Sequence, residues 1–360
     1  MRILLVCTVL LLLAASCNRS KLKEADWEIQ PFVKVDSVNP VLEPLASTHF
    51  YCPVRMDSVE WEAKDVFNPS AVVRDGKVYL LYRAEDIVGK HAGTSRLGLA
   101  ISDDGFHFTR MSKPVFYPDN DSMKVYEWEG GVEDPRLVED EKGTYILTYT
   151  AYDGKTARLC VATSSDLMTW KKHGLAFKDE VFRNLWSKSG AIATEQVGER
   201  FIARKIKGKY IMYWGDTHIY MATSEDLIHW NPVTHASGEL VSVIGPREGM
   251  FDSDLVEPGP QAMIQNDGII LIYNSRNNLS KGDSKLPDGN YAAGQVLLDL
   301  QNPLRVIKRS TMNFLTPDKP YEITGQVNNV CFAEGLVYYK STWFLYYGTA
   351  DSKIAVATRQ

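Results

Sequence analysis

The segment Ser102-Asp103-Asp104-Gly105-Phe106-His107-Phe108 recurs twice further along the chain. The related copies are Ser164-Ser165-Asp166-Leu167-Met168-Thr169-Trp170 and Ser224-Glu225-Asp226-Leu227-Ile228-His229-Trp230. The copies begin about 60 residues apart, and each follows a short run of small and apolar residues typical of a β-strand. Repetition at this spacing predicts a fold built from equivalent units, each too small to bury its own hydrophobic face.

Two further units keep the strand pattern but lack the repeated segment. One covers residues 267–298 and the other covers residues 336–357. With the first three they make five units of three or four short strands, joined by turns and almost without helical periodicity. Such units predict an all-β, five-bladed β-propeller over residues 31–360. A β-sandwich or two all-β domains are the alternatives.

Each predicted unit starts with a short polar segment, and four of the five segments also contain proline or glycine. In a propeller, the innermost strand of every blade begins at the mouth of the central tunnel. The polar side chains are therefore expected to converge on one funnel. The five segments are residues 67–70, 133–136, 188–191, 257–260 and 328–330.

The composition of the 360-residue chain is that of a globular protein, with 44% hydrophobic residues and a net charge of −5. This mild acidity, without a basic stripe, argues against nucleic acid as a partner. Eight Trp and 18 Tyr are typical either of a sugar-binding cleft or of a β-sheet core.

The N-terminus has the features of a lipoprotein signal. A basic Arg2 precedes an apolar run, residues 3–15, that is too short to span a membrane and ends in Ala14-Ala15-Ser16-Cys17. We expect residues 1–16 to be removed, Cys17 to be lipidated and residues 17–30 to form a tether. The mature protein would then lie in the bacterial periplasm or cell envelope, in contact with the membrane only through its lipid. Ordinary secretion is the alternative.

The segment Gly130-Gly131-Val132-Glu133-Asp134-Pro135-Arg136-Leu137 contains the most distinctive chemistry. Adjacent residues of an extended segment point to opposite faces. One of Glu133 and Asp134 can therefore face a cavity while the other contacts Arg136 or a neighbouring loop. A surface turn with an acidic pair is the alternative, because Asp-Pro is common in turns.

Together with this segment, motifs spread over all five units resemble glycoside hydrolase family 130. The resemblance implies a five-bladed propeller acting on β-mannosides, either as a phosphorylase or as an inverting hydrolase. The further motifs are Phe67-Asn68-Pro69, Leu81-Tyr82-Arg83-Ala84, Tyr149-Thr150-Ala151-Tyr152, Lys188-Ser189-Gly190-Ala191 with Gly208-Lys209-Tyr210, and Tyr347-Gly348-Thr349-Ala350-Asp351.

The resemblance also implies roles for individual residues. Asp134 is the expected general acid, which protonates the glycosidic oxygen indirectly through the 3-hydroxyl group of the bound mannose. The other expected substrate-binding residues are Asn68, Arg83, Glu133, Arg136, Lys188 and Asp351. Arginine forks and carboxylates suit this role because they hold vicinal hydroxyls through charge-assisted hydrogen bonds.

One departure from the family pattern favours hydrolysis. The resemblance implies that phosphorylases of the family have a basic residue at the position of Leu255 and a glycine at the position of Glu257. A carboxylate repels phosphate but can activate water, so Glu257 is the expected general base and Glu195 the second candidate. Phosphorolysis remains open because four cations offer an alternative phosphate site: Lys188, Arg200, Arg204 and Lys205.

The sequence thus predicts an exo-acting inverting glycoside hydrolase that cleaves β-mannosidic linkages, with β-1,2 as the expected linkage in manno-oligosaccharides. A β-mannoside phosphorylase releasing mannose 1-phosphate is the second hypothesis, and a non-catalytic glycan-binding lipoprotein is the third. This chemistry requires no cofactor and no metal. The acidic residues Asp103, Asp104 and Asp252 do not have the spacing of a calcium loop.

Overall fold

The computed structural model describes residues 27–266 and 268–360. The predicted signal peptide, the lipidation site Cys17 and most of the tether lie outside these ranges, so those assignments stay predictions. Within the described part of the chain, the structure contains no helix with the length and apolar character needed to cross a membrane.

Strands form nearly all of the regular structure. The first elements are β1 (Val33–Lys34), β2 (Phe50–Cys52) and β3 (Asp57–Val59). A first antiparallel set follows, with β4 (Asp65–Arg74), β5 (Lys77–Glu85), β6 (Ser95–Ser102) and β7 (Thr109–Arg110). The short helix α1 (Lys124–Glu127) leads into a second set, with β8 (Gly131–Glu139), β9 (Tyr145–Tyr152), β10 (Ala157–Ser164) and β11 (Lys171–Leu175).

The third and fourth sets are less regular. The third contains β12 (Ala191–Val197), β13 (Arg200–Ala203), β14 (Tyr210–Trp214), β15 (Ile219–Ser224), β16 (Asn231–Pro232) and β17 (Ser242–Ile244). The fourth contains β18 (Leu255–Pro258), β19 (Ala262–Gln265), β20 (Gly268–Arg276), β21 (Tyr291–Leu298) and β22 (Val306–Arg309). Helix α2 (Pro320–Ile323) precedes the fifth set, with β23 (Cys331–Tyr339), β24 (Thr342–Thr349) and β25 (Lys353–Arg359).

The strand pairing is propeller-like. Hydrogen-bonded neighbours within each set pair antiparallel, and short parallel contacts, such as Ser95 with Gly131 and Ala193 with Ala262, join neighbouring sets. The N-terminal β1 pairs with the C-terminal β25, Val33 opposite Thr358, and so completes the fifth set. The predicted all-β fold with almost no helix is confirmed, and the number of blades stays a prediction.

The repeated segment forms the same turn in all three copies. In the first, the hydroxyl of Ser102 accepts the N–H of Gly105 at 2.8 Å, and Asp104 Oδ1 accepts the N–H groups of Phe106 and His107 at 2.8 and 2.9 Å. The equivalent bonds recur in both later copies. Ser and Asp side chains that bond nearby backbone groups favour turns. The repeat therefore has a structural role, shaping the turns that lead into β7, β11 and β16.

Four of the strand sets in the described chain share a buried polar group, which we call the carboxylate–tyrosine–cation triad. The carboxylate precedes the inner strand, the tyrosine lies on the central strand, and the cation lies on the outer strand. Each tyrosine hydroxyl donates to the carboxylate at 2.8 or 2.9 Å. The triads are Glu62–Tyr82–Arg110, Glu127–Tyr149–Lys172, Asp252–Tyr273–Arg309 and Glu322–Tyr347–Lys34.

Two strand sets differ from the simple pattern of the triad. In the fifth set the cation is Lys34 of β1, so the triad joins the start of the domain to its end. In the third set, the hydroxyl of Tyr213 donates instead to the carbonyl oxygen of Pro303 at 3.0 Å. Because a buried charge is costly unless paired and hydrogen-bonded, each triad fixes the position of three strands or connections at once.

Candidate active site

The inner strands of all the sets begin at one end of the molecule, around a cavity of about 130 Å³. Six of the nine residues predicted for the site line it, together with hydrophobic side chains and a tyrosine. The lining residues are Phe67, Asn68, Arg83, Asp134, Lys188, Glu257, Tyr291, Val327, Val330, Phe332 and Asp351. The chemistry expected from five separate segments of sequence is therefore brought together in one place.

A larger cavity, of about 500 Å³, lies at the opposite end of the inner strands. Its charged side chains include Glu139 and Arg200, which form an ion pair with each other. None of the predicted catalytic and substrate-binding residues lines this cavity, and Arg200 is its only member of the alternative phosphate site, so the smaller cavity is the candidate active site.

Two β-bulges orient Asn68 and Asp134 towards each other. Both residues have positive φ, 46° and 48°, and each precedes a proline at a shift of strand register. Asn and Asp tolerate this left-handed conformation better than most side chains, and a bulge redirects a side chain out of the regular alternation. As a result, Asn68 Nδ2 donates to Asp134 Oδ1 at 2.9 Å.

Asp134 is buried and lies between two cations. Arg83 Nη1 is 3.0 Å from Oδ1, and Lys188 Nζ is 3.2 Å from Oδ2. Burial by itself would raise the pKa of Asp134, but the charges of Lys188 and Arg83 outweigh it and hold that pKa below its usual range. Asp134 is therefore ionised at neutral pH.

Glu133 is not among the lining residues of the cavity, although its carboxylate contacts the same arginine as Asp134. Its Oε1 is 3.1 Å from Arg83 Nη2, which also lies 2.7 Å from Glu85 Oε1. The guanidinium group of Arg83 lies over the ring of Phe67, 4.6 Å from its centroid. Glu133 thus holds Arg83 in place, and burial raises the pKa of Glu133.

Glu257 lies in the cavity near the same lysine. Its Oε1 accepts a short hydrogen bond from the hydroxyl of Ser189, a buried residue with φ of 57°. Burial raises the pKa of Glu257 although Lys188 lowers it. Burial by itself would lower the pKa of Lys188, but the Asp134 and Glu257 carboxylates raise it above its usual value. The lysine therefore stays charged and links the two carboxylates electrostatically.

Arg136 lies beneath the cavity rather than in its wall. It donates to the carbonyl oxygens of Pro258 at 2.8 Å and Gly259 at 3.1 Å, and its Nη1 is 2.6 Å from Glu334 Oε1. The resemblance predicted contact with the sugar for Arg136, whereas these bonds show that it holds the segment that carries Glu257.

Glu334 was not predicted from the sequence. It is buried in β23 at a shift of register, and in the described structure neither of its oxygens accepts a hydrogen bond of good geometry. Burial raises the pKa of Glu334 well above its usual value. The one available signal was an acidic residue inside the apolar strand sequence Cys331-Phe332-Ala333-Glu334-Gly335.

Asp351 and Tyr291 complete the wall of the cavity. Asp351 lies in the turn between β24 and β25, where burial raises its pKa to about 7 although Arg83 lowers it. Burial likewise raises the pKa of Tyr291 to about 12. Asp351 therefore exchanges its proton in the neutral pH range, and Tyr291 is a neutral hydrogen-bonding group.

Glu195, the second candidate for the base, lies elsewhere. It is on β12 with 53% of its side chain exposed and forms an ion pair with Arg204 at 2.8 Å. The cations of the alternative phosphate site are also remote from the cavity wall, apart from Lys188: Arg200 pairs with Glu139, and Lys205 lies over the ring of Tyr210. This surface does not contribute to the candidate site.

Comparison with known proteins identifies the family. The model of glycoside hydrolase family 130, described as beta-1,4-mannooligosaccharide phosphorylase, matches residues 38–360. The chain belongs to glycoside hydrolase family 130. A curated relative, the 1,2-beta-oligomannan phosphorylase of Thermoanaerobacter sp. (strain X514), is 33% identical over 89% of this chain and 95% of its own length.

Solved structures of family members are more similar still. A glycosyl hydrolase from Bacteroides ovatus is 47% identical with a TM-score of 0.91, covering 93% of this chain and 95% of the other. Another structure, from work on family 130 "glycoside hydrolases that target beta-1,2 mannosidic linkages in Candida mannan", is 48% identical with a TM-score of 0.91 and the same coverage. The predicted family is therefore confirmed.

Proposed function

We propose that this family 130 protein is an exo-acting, inverting β-mannosidase for β-1,2-linked manno-oligosaccharides. The observation that supports this most strongly is the pair of buried carboxylates, Asp134 and Glu257, on the wall of one cavity with Lys188 between their charges. An inverting glycosidase needs one acid and one base on opposite sides of the scissile bond. We also propose that each strand set is one blade of a five-bladed propeller spanning residues 31–360.

The balance of charge favours water over phosphate as the nucleophile. The cavity wall has two cations, Arg83 and Lys188, and both already lie against carboxylates. Arg276, on the neighbouring β20, is paired with Asp254 at 3.1 Å. Phosphate binding needs cationic donors that are not already neutralised, and nearby carboxylates repel it.

In the proposed mechanism Glu257 is the base. Its Oε1 is held by Ser189, which leaves Oε2 to accept a proton from the attacking water. Asp134 is the acid. Because its lowered pKa keeps it ionised, Asp134 must gain a proton before it can donate one. A sugar hydroxyl bound beside Asp134 would pass that proton to the glycosidic oxygen, as the family resemblance implies.

The decisive experiment is incubation with β-1,2-mannobiose in the presence and absence of phosphate. The expected product is mannose in both cases, released initially as the α-anomer in a proton NMR time course. The control is the same reaction with Asp134→Asn. Release of the β-anomer would contradict inversion, and no turnover without phosphate would contradict hydrolysis.

A phosphorylase is the second candidate because curated relatives carry that activity in their names. It predicts mannose 1-phosphate as product and strict dependence on phosphate. The incubation described above separates the two candidates directly.

We also propose that the mature protein is anchored at Cys17 by lipid in the bacterial periplasm or cell envelope. The support is the short apolar run ending in Ala-Ala-Ser-Cys. Mass spectrometry of the protein from its native host should show a diacylated N-terminal cysteine, and an unmodified thiol would contradict the anchor.

A further inference from the structure

We propose, building on the mannosidase function above, that Trp186 is the platform for the second sugar of the substrate, on the leaving-group side of the scissile bond. Trp186 lies two residues before Lys188, where the chain crosses from the second strand set to the third. Its side chain is 46% exposed although it is one of the largest apolar groups of the protein. Nothing in the proposed chemistry of the cavity explains this exposure.

Trp186 is one end of a row of three aromatic side chains at the rim of the mouth. The ring of Tyr152 is 6.4 Å from Trp186 at an interplanar angle of 70°, and the ring of His91 is 6.0 Å from Tyr152 at 68°. Edge-to-face contacts of this kind are favourable, and each covers only one face of one of its two rings. Tyr152 pairs in register with Gly131, so the row adjoins the segment that contains Glu133 and Asp134.

Two glycines make room for this row. A Cβ atom at Gly130 would lie 2.2 Å from Tyr152 Cδ1, and a Cβ atom at Gly154 would lie 2.3 Å from His91 Nε2. Any side chain at either position would displace the aromatic ring. Gly130 therefore has a role beyond flexibility, because it allows Tyr152 to lie across the start of β8.

The orientation of the indole is fixed from the third strand set. Trp186 Nε1 donates to Asp216 Oδ2, and the adjacent Gly215 N–H donates to the carbonyl oxygen of Lys188 at 3.0 Å. The indole and the lysine that contacts Asp134 are thus held by the same short turn. Burial and anchoring of one edge leave the flat face of Trp186 available at the mouth.

The chemistry of such a face suits a pyranose ring. The C–H bonds on one side of a hexose form an apolar surface that packs against an aromatic plane, while its hydroxyls remain in water. A monosaccharide in the cavity would not reach the rim, whereas the second unit of a disaccharide extends outward from it. Trp186 should therefore contribute to the binding of oligosaccharides but not of free mannose.

The test compares Trp186→Ala with wild type, using β-1,2-mannobiose as substrate and mannose as competitive inhibitor. We expect Trp186→Ala to raise KM about tenfold with little change in kcat, because stacking binds ground state and transition state alike. The inhibition constant of mannose should stay unchanged. Trp186→Phe should restore most of the affinity because it keeps an aromatic face.

The matched control is Tyr51→Ala, which removes an exposed aromatic side chain, 62% accessible, from β2. It should leave KM unchanged. An unchanged KM in Trp186→Ala, or an equal loss of mannose affinity, would overturn the platform while leaving the mannosidase function intact. A wild type that cleaves no β-mannoside would instead overturn the proposed function, and the platform with it.

Discussion

The buried triads and the candidate active site are built from the same types of side chain, carboxylates with cations and hydroxyl groups, but these groups are paired differently in the two regions. In the triad Glu62–Tyr82–Arg110, the carboxylate accepts hydrogen bonds from one cation and from two hydroxyl groups, those of Tyr82 and Thr48. In the cavity, carboxylates outnumber cations, and Glu334 beneath it forms an ion pair with Arg136 but accepts no hydrogen bond of good geometry from the described residues. Paired buried charges stabilise a fold, whereas incompletely paired ones have shifted pKa values and are available for chemistry.

The triads and the cavity differ only in degree in how burial shifts the pKa of their carboxylates. Burial raises the pKa of Glu127 to about 7 even though Lys172 lies 2.5 Å away. The two regions differ in solvent access: the carboxylates of the triads are fully buried, whereas the cavity opens at the mouth. The comparison makes predictions in which activity and stability respond to different residues.

The largest expected effect is on turnover by the cavity carboxylates. Asp134→Asn and Glu257→Gln should each lower kcat by a factor on the order of 10²–10⁴, the usual contribution of a general acid or base. Glu257→Gln should not lower the melting temperature, because burial disfavours the charge of Glu257. Asp134→Asn should lower it modestly, because Lys188 and Arg83 stabilise the charge that this change removes. The measurement is hydrolysis of β-1,2-mannobiose alongside calorimetry.

Glu195→Gln is the matched control for these variants, because it neutralises an exposed carboxylate outside the cavity. It should retain near-normal turnover. Loss of activity in Glu195→Gln together with normal activity in Glu257→Gln would move the base to Glu195.

The next effect is on stability, at the triad that closes the domain. Lys34→Met removes the cation beside the buried Glu322 and should lower the free energy of unfolding by about 3 kcal/mol, because an uncompensated charge remains. The kcat should be unchanged. Urea unfolding followed by tryptophan fluorescence measures this difference.

The control is Lys353→Met, which breaks the more exposed ion pair with Glu43. Its cost should be about 0–1 kcal/mol, as for most surface pairs. Equal losses in the two lysine variants would show that β1 is not held by the buried triad.

A smaller effect concerns the pH dependence of stability. The pKa of Asp351 is raised to about 7 in the folded protein, so between about pH 4 and pH 7 the folded state binds more protons than the unfolded state. Asp351 therefore lowers stability as the pH rises through this window. Asp351→Asn should remove that slope when unfolding curves are compared across the range.

Asp153→Asn should change the pH dependence of stability in the opposite direction to Asp351→Asn. Burial by itself would raise the pKa of Asp153, but the hydrogen bond from Arg158 holds it below its usual value. Its contribution to stability is present above the unfolded pKa and is lost as the pH falls below it. If both variants changed the slope of unfolding free energy against pH in the same direction, the raised pKa of Asp351 would be contradicted.

The smallest expected effect is at Ser189. Its hydroxyl donates to Glu257, and such a bond favours the ionised carboxylate. Ser189→Ala should therefore shift the acidic limb of the kcat profile to higher pH and lower kcat by about tenfold, the equivalent of about 1.4 kcal/mol. A loss of kcat with no shift of the limb would indicate a structural role only.

The sequence by itself determined the all-β repeat and much of the site. The spacing of the Ser-Asp segments and the strand pattern around them predict equivalent units, because local turns and the alternation of strand side chains are short-range effects. The X-Pro segments containing Asn68 and Asp134 were recognisable for the same reason. Their positive φ angles depend on the residue types themselves.

Only the tertiary structure decided which of the remaining acids belong to the site. The sequence favours Glu257 over Glu195 as the base but keeps both as candidates, whereas in the structure Glu195 faces solvent beside Arg204 and Glu257 is buried near Lys188. The sequence likewise did not predict the positions of Glu334 beneath the cavity and of Trp186 at its rim. Each depends on contacts between residues more than 50 positions apart or on the packing of neighbouring strand sets, and no local pattern encodes these.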